Sequence, residues 1–133
     1  MTELLVPISP GELIDKITIL EIKSQRMSDA AKLANVRAEL ALLLNTWRAS
    51  PWSATDITAD WAGLRAVNEK LWVVEDLIRD KERDARFDQE FIELARAVYV
   101  TNDERAAIKR RINTRLGSTL VEEKSYADYQ RKA

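Results

Sequence analysis

The sequence predicts an all-α protein, a helical bundle of about five helices with short N- and C-terminal arms. Three observations carry that prediction. Only three glycines and three prolines occur in 133 residues, so tight turns are scarce and long helices are favoured over a many-stranded sheet. Apolar residues recur at spacings of three and four over long stretches, the pattern of a helix with one buried side. Capping residues stand where these stretches begin and end, which turns a periodic pattern into bounded elements.

Residues 1–9, containing TELLVPI, read as an extended arm broken by Pro7. Ser9-Pro10-Gly11-Glu12 then combines an N-cap, a proline at the first helical position and a Glu three residues on, a capping box. The first helix is expected from Pro10 to Met27. Ser28-Asp29 caps a second, 29–49, and Ser50-Pro51 stops it because the residue before proline disfavours the α region. Residues 50–58 form the longest loop, and Trp52 within it is expected to pack back on the body. A third helix runs from Thr58 to Arg83. After the polar break Asp84–Asp88, which holds Phe87, a fourth covers Gln89 to Val100 with Phe91, Ile92, Ala95, Val98 and Tyr99 inward. Thr101-Asn102-Asp103-Glu104 is a second capping box. It opens a fifth helix that Gly117 ends after Leu116. Residues 118–133, beginning STLVEEKSYADY, either add a short helix or pack as a C-terminal arm, with a frayed end. No internal repeat divides the chain, so residues 1–133 read as a single α-helical domain.

Composition narrows the chemistry. With no Cys there is no thiolate nucleophile, disulfide or zinc finger, and with no His the commonest general base and transition-metal ligand are absent. No metal site and no cofactor are expected. Lys plus Arg number 21 against 22 Asp plus Glu, a net charge of −1, which argues against nucleic acid as a partner. That total hides an asymmetry: residues 100–133 carry eight basic and five acidic groups, the remainder thirteen and seventeen. No run approaches 18 apolar residues, so no membrane span is expected. MTELLVPISPGEL lacks the charged start and long apolar run of a signal peptide. The expected location is cytoplasmic.

Three helical stripes depart from simple amphipathicity. On the first helix Leu13, Ile17, Leu20 and Met27 share a face, but Ile19 and Ile22 fall on the opposite side among Glu12, Asp15, Lys23 and Arg26. Either that helix is central and touched on all sides, or Ile19 and Ile22 face a partner chain, which would make the protein a homo-oligomer. Glu21 flanks the core face and would need a donor. On the third helix Trp61, Leu64, Asn68, Leu71, Glu75 and Ile78 follow a 3–4 seam, and Asn68, Trp72, Glu75 and Arg79 form one line. The Glu75–Arg79 i,i+4 pair contributes only about 0.2–0.5 kcal/mol, so a second donor to Glu75 is expected if it is buried. On the predicted fifth helix Asn102, Arg105, Lys109 and Asn113 run beside the apolar Ile108, Ile112 and Leu116. Arg110 and Arg111 point away and read as solvated charge. These stripes either pair with one another as buried salt bridges or line a cleft for a small anion.

Motif searches remove further classes. The three glycines, Gly11, Gly63 and Gly117, form no phosphate-cradling loop. HExxH, GxSxG and EF-hand patterns are absent. Glu90-x-x-Glu93 lacks a following ExxD at suitable spacing, which argues against the paired-carboxylate chemistry of all-α nucleotide pyrophosphatases.

The segments ISPGELIDKITILEIKSQR (8–26), LANVRAEL (33–40), VNEKLWVVEDLIRD (67–80), FIELARAVYVTNDERAAIKRRIN (91–113) and LGSTLVEEKSY (116–126) resemble a bacterial family catalogued as a domain of unknown function. The resemblance implies an α-helical single-domain protein of this size, with members often encoded beside polysaccharide or lipopolysaccharide biosynthesis genes. It supplies no reaction and no catalytic residues. The expected function is therefore a binding or accessory protein for a small anionic ligand, a phosphorylated sugar or nucleotide sugar. In that reading Arg79, Arg105 and Lys109 contact the anion, while Asn68, Glu75, Asn102 and Asn113 orient the ligand and Trp72 forms a wall. One alternative is a His-free enzyme using Glu21 or Glu75 as acid/base or Mg²⁺ ligand. Another is a structural interaction module contacting its partner through Ile19 and Ile22.

Overall fold

A computed structural model describes residues 3–129. Among the described residues there are four α-helices, a short 3₁₀ turn and no strand: α1 (Pro10–Arg26), α2 (Ala30–Ala49), the turn Pro51–Ala54, α3 (Thr58–Arg83) and α4 (Gln89–Leu116). The expected frayed end beyond residue 129 lies outside the described residues.

Local chemistry sets most boundaries. Ser9 Oγ accepts the Glu12 backbone N–H at 3.2 Å and Asp29 Oδ1 accepts that of Lys32 at 2.9 Å, each satisfying an orphan donor of a first helical turn. Ser50 is extended, as a residue before proline must be, and ends α2. Ala85 takes a positive φ of 50° in the turn after α3. Asp88 then caps α4 by accepting the Phe91 N–H at 3.0 Å. Gly117, at φ 68°, closes α4 with its own N–H on Thr114 O and the Ser118 N–H on Asn113 O, a Schellman pattern that needs the left-handed conformation.

The fourth and fifth helices of the sequence reading are one continuous helix. Thr101, read as an N-cap, lies inside α4 and is fully buried. A capping box ends a helix only where the chain also turns, and between Gln89 and Leu116 there is no glycine or proline to cap the preceding carbonyls. Among the described residues the Thr101 hydroxyl has no hydrogen-bond partner. Thr101→Val keeps the shape and removes that hydroxyl, so it is expected to stabilise the fold by about 1 kcal/mol. Loss of a true cap would instead cost about 1 kcal/mol; chemical denaturation distinguishes the two.

The core joins Leu13, Ile14 and Ile17 of α1 to Trp47, Ile57, Leu64, Ile108, Ile112 and Leu116. Burial of each large aliphatic side chain contributes roughly 1.5–3 kcal/mol. Trp52 packs against this cluster, as expected. Ile22 is 2% exposed within the single chain, so it is core and not a partner contact; Ile19 alone of the pair reaches the surface, half-buried. Asp15 and Arg26, eleven residues and about 16 Å apart on α1, bind Asn68 and Glu69, neighbours on α3. So α1 crosses α3 instead of running along it. Beyond the crossing, among the described residues, no third helix accompanies the α3–α4 hairpin. None of residues 89–100 is buried, and Ile92 and Tyr99, expected inward, are 48% and 43% exposed. Lys81 fastens the hairpin tip, donating to Asp88 at 3.0 Å with Glu90 at 3.4 Å. Among the described residues no helix is long and apolar enough to cross a membrane.

Candidate functional site

Where α1 crosses the hairpin, Asp15 is buried at 4% exposure. The Asn68 side-chain amide donates to Asp15 Oδ1 at 2.9 Å and to Thr18 Oγ1 at 3.0 Å, and the Thr18 hydroxyl donates to the Asp15 carbonyl at 2.9 Å. On the α4 side Lys109 Nζ lies 3.8 Å from Asp15 Oδ2, 2.7 Å from Glu12 Oε2 and 2.8 Å from Glu122 Oε2. Glu12 and Asp15 are one turn apart on α1, so both meet the same ammonium. The Glu12 carboxylate is thus turned toward α4, half-buried between its ion partners. Burial lowers the Lys109 pKa, but the bonds from Glu12 and Glu122 and the charge of Asp15 more than offset it, and the result lies above the ordinary 10.5. The Lys109 bond holds Glu122 below the ordinary 4.5, against a smaller opposing effect of burial. The Glu122–Lys109 link therefore strengthens the fold above the carboxylate range, fades as pH falls through the lowered pKa, and fades again above the raised Lys109 pKa.

Six of the nine sequence-predicted site residues share one groove. Asn68, Trp72, Glu75 and Arg79 from α3 and Asn102 and Arg105 from α4 line a cavity of about 390 Å³, with Ile19 and Lys23 of α1 on its third side. Arg79 is 78% exposed and Glu75 pairs with it at 3.4 Å. Glu75 is itself 43% exposed, so water supplies what a second protein donor was expected to supply. Arg105 is one-third exposed, and among the described residues its one ion pair is to Asp15, at 4.0 Å. Arg105 and Asn102 also line an adjoining cavity of about 490 Å³ between α4 and the C-terminal arm, where Lys109, Glu122 and Lys124 lie.

The other three do not join the groove. Lys109 is occupied by its carboxylates. The Asn113 side-chain oxygen accepts the Gly11 N–H at 2.7 Å and pins the start of α1 to α4. Glu21 faces the far side of α1, accepting the Trp61 indole N–H at 3.3 Å with Arg65 at 3.8 Å, in a separate cavity of about 710 Å³ beside Trp47. Arg111, read as solvated charge, donates to the buried Asp60 at 2.8 Å, with Arg115 at 3.6 Å from the same carboxylate. Of the two readings of the first helix, its burial of both Ile22 and Asp15 supports the one in which that helix is central and touched on all sides. Asp15 stands four and seven residues before Ile19 and Ile22, so the apolar character of that stripe already implied that Asp15 shares its burial. Among the described residues no group of three or more Asp or Glu is arranged to hold a metal ion.

The groove thus offers a guanidinium with unspent donors, an indole wall and the Asn102 amide. That set can bind an anion and a ring; it presents no nucleophile–base pair. No curated protein and no solved structure matches the chain. A family model matches residues 4–130, nearly the whole length. The chain belongs to a family of unknown function (DUF6165).

Proposed function

We propose that this protein binds a small anionic ligand of the sugar phosphate or nucleotide sugar class in the groove between α1, α3 and α4. The observation that carries the reading is Arg105: a partly buried guanidinium at the junction of two cavities, with its nearest carboxylate only at the limit of ion-pair distance. A guanidinium so placed can give a phosphate two parallel hydrogen bonds. Trp72 lines the same groove and can stack on a sugar or base ring. Lys23 and Arg79 add positive charge, and Glu75 and Asp76 offer acceptors for ligand hydroxyls. In the setting of polysaccharide biosynthesis that the family resemblance implies, such ligands are substrates and intermediates, and a binding protein would act as an accessory to the enzymes that use them.

Isothermal titration with glucose 1-phosphate and UDP-glucose tests the reading. Arg105→Gln removes a charge-assisted contact worth about 1.5–3 kcal/mol, so Kd is expected to rise about tenfold or more. No heat at millimolar ligand, or equal affinity in the two proteins, refutes it.

A further inference from the structure

The C-terminal arm is attached to the groove's cationic end in an unusual way. Residues 118–129 carry no regular structure, and their apolar side chains are not buried: Leu120, Val121 and Tyr126 are 44%, 57% and 86% exposed. The arm is held by charge instead. Glu122 Oε2 meets Lys109 Nζ at 2.8 Å, Arg110 donates to the Glu122 carbonyl at 3.3 Å, Glu123 lies 3.7 Å from Arg110, and Lys124 bonds Asp103. At its far end Tyr129 rests on the Tyr99 ring at 5.0 Å. The Glu122 carboxylate stands in one cavity with Arg105 and Lys109, which is where an anion entering from the groove would arrive.

Building on the groove reading above, we propose that residues 118–129 form a releasable strap whose Glu122 carboxylate is an internal ligand, filling the anion position beside Lys109 and Arg105 until a phosphate group displaces it. Two physical points support this. Apart from the buried Lys109 ammonium, the groups in the arm's ion pairs are partly or largely exposed, Glu122 at 57%, so the carboxylate can return to water and be exchanged for another anion. A phosphate carries more charge and more acceptor oxygens than a carboxylate, so it competes well for the same two cations. The strap regulates the site by lowering its apparent affinity in proportion to the time spent closed.

The test uses the full chain and inorganic pyrophosphate as probe. Because the sequence has no cysteine, Ala127→Cys allows a single nitroxide on the arm. Glu122→Gln is expected to mobilise the label without ligand and to tighten pyrophosphate binding about tenfold, the value for a strap closed about nine-tenths of the time. In the protein retaining Glu122, pyrophosphate should mobilise the label at an ionic strength where sodium chloride does not. Equal affinity with and without Glu122 overturns the strap and leaves the groove reading intact. If pyrophosphate binds neither protein, the groove reading fails and the proposal with it. A label that stays immobile in Glu122→Gln shows an arm held by other contacts and overturns the proposal independently of binding.

Discussion

Lys109→Met is expected to destabilise the protein by about 3–5 kcal/mol, lowering Tm by roughly 10–20 °C for a chain of this size. The Lys109 side chain is 7% exposed and the Asp15 side chain 6%. Methionine fills similar volume, so little of the effect comes from a cavity. It comes from the carboxylates left behind. Asp15 keeps Asn68 as a donor but loses the nearer of its two cations, and Glu12 loses its 2.7 Å partner. A buried carboxylate without a counter-charge costs far more than the pair contributes when intact. The double variant Lys109→Met/Asp15→Asn should therefore recover part of the loss, because the amide needs no cation. Thermal melts of the single and double variants check both statements. A loss under about 1 kcal/mol for Lys109→Met would mean that the ammonium is solvated and the cluster carries no weight.

The same cluster shows how far sequence reasoning reached. The starts of α1 and α2 and the stop of α2 were legible because Ser9, Asp29 and Pro51 act on neighbours within four residues, and the stop at Gly117 is equally local. Thr101 misled for the same reason: its capping pattern is local, but no glycine or proline turns the chain before it, and the helix runs straight through. The groove was half legible. Periodicity put Asn68, Trp72, Glu75 and Arg79 on one line and Asn102 and Arg105 on another, and these two lines do meet. Helical spacing could not show that Lys109 and Asn113, on the same stripe as Arg105, are drawn under α1 by Glu12 and Gly11. Nor could it find Glu122, which lies in a segment without period and reaches Lys109 only because Gly117 turns the chain back along α4.

Gly11→Ala should cost about 1–3 kcal/mol, although alanine is the better helix former by up to about 1 kcal/mol. The sign is decided by what a Cβ would meet. At Gly11 it would stand 2.5 Å from the Lys109 carbonyl oxygen and 2.9 Å from Asn113 Oδ1. The first is backbone within α4 and cannot rotate aside. The start of α1 would have to lift away from α4. That movement breaks the 2.7 Å bond between the Gly11 N–H and Asn113, and it draws Glu12 and Asp15 away from Lys109. One methyl group therefore loosens both the helix contact and the buried charge cluster. Gly63 supplies the control in the same chain. It lies inside α3 with Ile108 Cδ1 at 3.7 Å as the nearest neighbour of a built Cβ, an ordinary contact. Gly63→Ala should stabilise the fold by about 0.5–1 kcal/mol, the difference in helix propensity alone. Paired denaturant titrations then read opposite shifts in midpoint for one and the same substitution. If both variants gain stability, α1 does not approach α4 as closely as the Gly11–Asn113 bond requires. The placement of Asp15 over Lys109 would fall with it.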